Sequence, residues 1–141
     1  MKGKFLAAAA LAGAWLGASP AAAQAQGVRI GVLNDMSSVY ADAGGKGAVE
    51  AAKMAAEDAG AILGAPVEIV SADHQNKPDI GGAIARQWYE KDGVDMITDV
   101  PNSAVGFAVS TIATQARKVA LLTGSLSADL TGEKCSPYTA A

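Results

Sequence analysis

Short apolar runs alternate with longer amphipathic stretches, and this alternation constrains the fold more than any other feature. The runs are VRIGVLND (28–35), APVEIVSAD (65–73), VDMIT (94–98) and VALLT (119–123). They are rich in β-branched residues and end in polar or glycine-containing segments, as strands buried on both faces do. The first interval, GGKGAVEAAKMAAEDAG, reads as a helix. Ala48, Ala52, Ala55 and Ala59 recur at helical spacing and predict a small apolar face. Lys46, Glu50, Lys53 and Glu57 form a charged one with internal ion pairs, and Gly60 supplies the stop. In the second interval Asn76 is the expected N-cap, with Pro78 in the first turn and Asp79 near the positive helix end. Ile80, Ala83, Ile84 and Trp88 share a face, and the helix is expected to close near Gly93. The third helix carries Val105, Ala108, Val109, Ile112 and Ala116 at the same period, with Arg117 and Lys118 at its negative end. The order β-α-β-α-β-α-β predicts an α/β fold, a doubly wound parallel sheet. No Asn-Gly or Asp-Gly turn joins successive strands, so no antiparallel hairpin is expected.

The amino terminus stands apart from this pattern. Lys2 and Lys4 precede an apolar run from Phe5 to Ala18, and AAAQAQ follows. This is the pattern of a secretory signal peptide over residues 1–25, cleaved after Ala23 or Ala25. The run is shorter than the roughly 20 residues a spanning helix needs. The mature part, 26–141, is then expected to form one exported domain. The whole chain has 11 Lys+Arg and 14 Asp+Glu; without Lys2 and Lys4 the net charge is −5. An acidic chain with few aromatic residues is a poor match for nucleic acid, which needs a basic surface. Cys135 and His74 are the only residues of their types. No disulfide framework, zinc site or multi-histidine metal site can be built from them, and no cofactor is expected. Cys135 is a free thiol or pairs outside this chain.

In an open parallel sheet, ligands bind beyond the carboxyl ends of the strands. Polar residues collect at those ends: Asn34, Asp35, Ser37, Ser38 and Tyr40; Asp73, His74, Gln75 and Asn76; Asp99, Asn102 and Ser103; Thr123, Ser125, Ser127 and Asp129. Ser103 opens a helix, where free N–H groups and the helix dipole favour a carboxylate. Ser125 and Ser127 add hydroxyls, and Tyr40 an amphipathic ring. The competing view of Asn102 and Ser103 is a bare N-cap. His74 with Ser37, Ser103 or Ser125 would suit a hydrolase. However, no G-x-S-x-G elbow is present, and an isolated loop histidine is more often a surface or hydrogen-bonding residue. GGKG lacks the spacing of a phosphate loop.

The segments IGVLNDMSSVYADAGGKGAVEAAKMAAEDAG, VEIVSADHQNKPD with AIARQW, DVPNSAV and GSLSADLTG resemble the amino-terminal lobe of the leucine/isoleucine/valine-binding family. These are type I periplasmic solute-binding proteins of ABC importers. The resemblance covers Val28 to about Pro137. It implies a non-enzymatic substrate-binding component that delivers an amino acid or aromatic acid to a membrane permease. It places ligand anchors at Ser103, Ser125 and Ser127, where typical members have Ala and Thr at the latter pair. Tyr40 lies near a pocket position without clean register, and Ala43 is the alternative there. Members are more than twice as long, so the resemblance implies an incomplete first lobe, a fragment or truncated reading frame, with weak or no ligand binding alone. An exported α/β hydrolase domain and the ligand-binding lobe of a sensor are the alternative functions.

Overall fold

The computed structural model describes residues 27–141. The expected signal peptide lies outside the described residues. Strand β1 (Arg29–Asn34) leads to helix α1 (Gly45–Ala59), a small hairpin of β2 (Ala61–Ile62) and β3 (Ala65–Pro66), and strand β4 (Glu68–Asp73). Helix α2 (Pro78–Glu90), β5 (Met96–Asp99), α3 (Ser103–Ala116) and β6 (Val119–Leu121) follow. A 3-10 turn (Ala128–Leu130) and β7 (Thr139–Ala140) complete the chain. The main sheet has the order β4-β1-β5-β6-β7 with every pairing parallel, so the doubly wound α/β expectation holds.

Local chemistry explains both the agreements and the departures. The expected second strand is broken at Val67, and its first residues pair back antiparallel with Ala61–Ile62. The hairpin that was not expected turns on Leu63 (φ 54°) and Gly64 (φ 85°), a pair of left-handed residues suited to a tight turn without Asn-Gly. Lys77, not Asn76, is the N-cap of α2, and it caps without its side chain. Asn76 is itself left-handed (φ 57°), one residue too early to cap. Pro78 and Asp79 occupy the first turn as expected, whereas the helix ends at Glu90, before Gly93.

The core lies between the sheet and the paired helices α2 and α3. Leu33, Ile97, Ala120 and Leu122 meet Ala85, Trp88, Tyr89, Val105, Val109 and Ile112 there. The buried face of α2 is Gly81, Ala85, Trp88 and Tyr89; Ala83 is exposed and Ile84 half-buried, so the face is turned from the expected one. Helix α1 packs on β1 and β4. It buries Gly45 and Val49 and half-buries Ala48, Ala52 and Ala56, while Ala55 and Ala59 face solvent. The Lys53–Glu50 ion pair sits on its polar side at 2.7 Å. Among the described residues, no helix is long and apolar enough to cross a membrane.

Candidate functional site

The strand order makes β1 and β5 the point where successive connections leave the sheet in opposite directions. Such a switch point opens a crevice beyond the carboxyl ends of its strands. Here the surface at that edge rests on side chains. Asn34, fully buried at the end of β1, donates its amide to the Asp99 carboxylate and to the Gly45 carbonyl. Backbone strain concentrates at the same place. Asp99 (φ 80°) and Val100 (φ 60°) are both left-handed, and for β-branched Val100 that is a genuine outlier. Strain of this kind persists only where surrounding contacts enforce it, and it clusters at binding sites.

Each loop at this edge is tied to its neighbour. Asp35 accepts from the N–H groups of Ser38 (2.9 Å) and Tyr40 (3.0 Å), which folds residues 35–40 into a compact turn. Asp73 accepts from Met36 N–H at 3.0 Å and joins the first loop to the second. Burial alone would push both carboxyls up, but the hydroxyl and N–H donors around them hold each below the ordinary carboxylate range. Asn102 donates its amide to Asn76, joining the second loop to the third. The hydroxyl of Ser125 donates to Val100 O at 2.8 Å, and Gly124 N–H to Asp99 O at 3.0 Å, joining the third to the fourth.

Ser103 is the centre of this arrangement. Its Oγ accepts from the N–H groups of Leu126 (3.1 Å) and Ser127 (3.2 Å). Both acceptor positions are thereby used, which leaves the hydroxyl proton to donate outward. Asn102 is the N-cap of α3, its Oδ1 accepting from Ala104 N–H (2.7 Å) and Val105 N–H (3.1 Å). The helix N–H groups behind Ser103 are therefore already claimed, and Ser103 N–H has no partner among the described residues. Ser127 begins the 3-10 turn without a side-chain capping bond, so its hydroxyl is also uncommitted there. Ser125 is buried with its hydroxyl turned inward, and Tyr40 is an exposed residue on the first loop.

Three features escaped sequence reasoning. Asn34 and Asp99 form a pairing between residues 65 apart in sequence. Leu126 stands 91 % exposed between the two serines, an apolar side chain in a loop read as polar. His74 is a hydrogen-bonding residue, as one of its two expected roles had it, but its complete burial was not foreseen; none of Ser37, Ser103 or Ser125 pairs with its ring among the described residues. A Ser–His nucleophile is thus not assembled. No group of three potential metal ligands exists among the described residues. A cavity of about 730 Å³ opens at the opposite edge, where Arg29 pairs with Glu68 and Lys118 with Asp95.

The Asn34–Asp99 pairing yields a pH-dependent prediction. Burial pushes the Asp99 carboxyl above its ordinary value of 3.8, against the opposing hydrogen bond from Asn34. The folded state then holds the proton more tightly than the unfolded one, so ionised Asp99 opposes folding at neutral pH. Asp99→Asn keeps an acceptor for Asn34 and a residue type that tolerates a left-handed backbone. It is expected to raise the urea midpoint at pH 7, with the gain vanishing once pH falls below the ordinary carboxylate value. An equal gain at both extremes would contradict this account.

Comparison with known proteins places this edge in context. The periplasmic binding protein family profile matches residues 27–141. The chain belongs to that family. No curated protein matches it. Among solved structures, a periplasmic binding protein from Burkholderia mallei is 42% identical, with a TM-score of 0.79 over 82% of this chain and 31% of that one. A branched-chain amino acid ABC transporter periplasmic ligand-binding protein from Burkholderia xenovorans is 46% identical, with a TM-score of 0.76 over 79% of this chain and 30% of that one. An ABC transporter solute-binding protein from R. palustris, solved with 4-hydroxybenzoate, is 26% identical, with a TM-score of 0.68 over 79% of this chain and 30% of that one. The chain thus spans about a third of the length of these relatives. The periplasmic binding protein lobe seen here is the type I fold expected from sequence.

Proposed function

We propose that this chain is the first lobe of a substrate-binding component of an ABC importer, exported to the periplasm, and that its carboxyl edge anchors a small carboxylate. An amino acid or an aromatic acid fits the exposed donors equally well. The observation that carries the reading is Ser103: its Oγ accepts two N–H groups and keeps its proton to donate, and its own N–H has no partner among the described residues, beside the Ser127 hydroxyl, which makes no capping bond. Two donors at a helix start suit a carboxylate, and the dipole of α3 adds to the attraction. Leu126 offers an apolar surface next to them. The edge is an open surface, and a pocket that buries most of a small ligand needs a second wall. In the intact transporter component, a second lobe closing by a hinge supplies that wall. Among the described residues no serine pairs with the His74 ring, so the geometry lends no support to the hydrolase alternative.

Amide chemical shifts of the 26–141 chain, titrated separately with isoleucine and with 4-hydroxybenzoate, test the reading. Shifts are expected at Ser103, Leu126 and Ser127, saturating only at millimolar ligand, an affinity of about 4 kcal/mol. Ser103→Ala is expected to abolish them. Responses confined to the opposite edge would overturn the assignment, and micromolar binding would overturn the view that one lobe holds its ligand weakly.

A further inference from the structure

We infer that His74 and Asn76 are positioning residues for the start of α3, holding the helix cap from below without touching a ligand. The inference rests on the proposed carboxylate site for its purpose, but its geometry stands independently. His74 Nδ1 accepts from Asn76 N–H at 3.0 Å. Asn76 in turn accepts from the Asn102 amide, and Asn102 caps Ala104 and Val105. Two residues, Asn76 and Asn102, thus connect a buried imidazole to the first turn of the helix that presents Ser103.

The imidazole is committed to one tautomer. With Nδ1 accepting, the proton resides on Nε2. Nε2 is buried and has no partner among the described residues. A buried unpaired donor is a cost to stability, so the ring is not explained by what it adds to the core. Its useful contact is the one at Nδ1, which pins a turn whose residues Gln75 (φ 52°) and Asn76 (φ 57°) are both left-handed. Helix α2 passes close to this residue. A Cβ on Gly81 of α2 would lie 3.5 Å from His74 Cβ and 2.4 Å from Val105 Cγ1 of α3. The charged groups facing the ring are Asp35 at the end of β1 and Asp73 at the end of β4; α2 and α3 present Gly81 and Val105, which do not titrate.

The relay is sensitive to protonation. A second proton on the ring would occupy Nδ1 and set donor against donor at Asn76. Burial holds the ring below the ordinary histidine range, with Asp35 and Asp73 opposing in part, so the link is intact at neutral pH and fails on acidification. The unfolded chain takes up the proton first, so stability also falls as pH drops below the ordinary histidine value.

Amide shifts of the 26–141 chain, recorded against pH with no ligand present, test the relay. The Ala104 and Val105 amides are expected to move in step with the His74 ring protons. His74→Asn, which preserves an acceptor near Nδ1 but cannot titrate, is expected to remove that step. Asn76→Ala is expected to leave the ring titration and uncouple the two amides from it. At fixed pH 7, the same variant should speed hydrogen exchange of Ala104 and Val105 several-fold. A step that persists in either variant, or exchange unchanged in Asn76→Ala, overturns the relay. Absence of carboxylate-induced shifts at Ser103 would reject the binding site and leave the relay standing.

Discussion

Trp88→Ala is expected to remove most of the stability of the fold at 25 °C. Trp88 is buried on the inner face of α2, and its indole lies against β1 at Gly31, where a Cβ would come within 2.4 Å of Cζ3. The ring therefore fills the space of two positions, its own and the side chain that Gly31 lacks. Truncation to Ala costs about 3–5 kcal/mol where the site cannot collapse. Collapse is hindered here because neighbouring Tyr89 is tied to Val119 O at 2.7 Å. A domain of this size has only about 5–15 kcal/mol of stability, and short chains sit at the low end. Urea titration followed by circular dichroism should show a midpoint near zero for Trp88→Ala and a partial return for Trp88→Phe. A cooperative transition with an unchanged midpoint would show that the α2–sheet interface is not what holds the fold.

That interface also marks where the sequence was readable. The β-α alternation is carried by short β-branched runs, and a parallel sheet with a polar carboxyl edge follows from it. Helix faces were read less well because small residues decide them. Gly81 and Ala85 lie at the core of α2 since their lack of bulk lets Val105 and the sheet approach, yet neither stands out in an apolar pattern. For α1 the alanines are spread around the helix, and only packing on β1 and β4 selects Ala48, Ala52 and Ala56. At the site, Ser103 and Asn102 were visible as residues of a helix start. Their partners were not, because Asn76 and Leu126 lie 26 and 23 residues away along the chain. The depth of His74 is a tertiary property as well: its loop is polar, yet the residue is completely buried, with Gly81 of α2 close by.

Gly124→Ala is expected to dismantle the edge without unfolding the lobe. A Cβ at Gly124 would lie 2.7 Å from Pro101 Cα, 3.0 Å from Pro101 N and 3.2 Å from Asp99 Oδ1. The first two are backbone atoms of a residue whose φ is locked by its ring, so the fourth loop must move instead. It is held by Gly124 N–H on Asp99 O and by Ser125 on Val100 O, and displacement strains both. The Ser103 contacts to Leu126 and Ser127, at 3.1 and 3.2 Å, already sit at the long end of the hydrogen-bond range, and a shift of a few tenths of an ångström breaks them. Overpacking of this kind costs about 1–3 kcal/mol. The same substitution at Gly47 in α1, where a new Cβ meets nothing within 4 Å, should instead stabilise by about 0.5–1 kcal/mol through helix propensity. Denaturation midpoints should therefore move in opposite directions for the two variants. Carboxylate-induced shifts at Ser103, Leu126 and Ser127 should disappear in Gly124→Ala and persist in Gly47→Ala. Were they to persist in both, Ser103 would act alone, and the close approach of the third and fourth loops would serve packing and not the site.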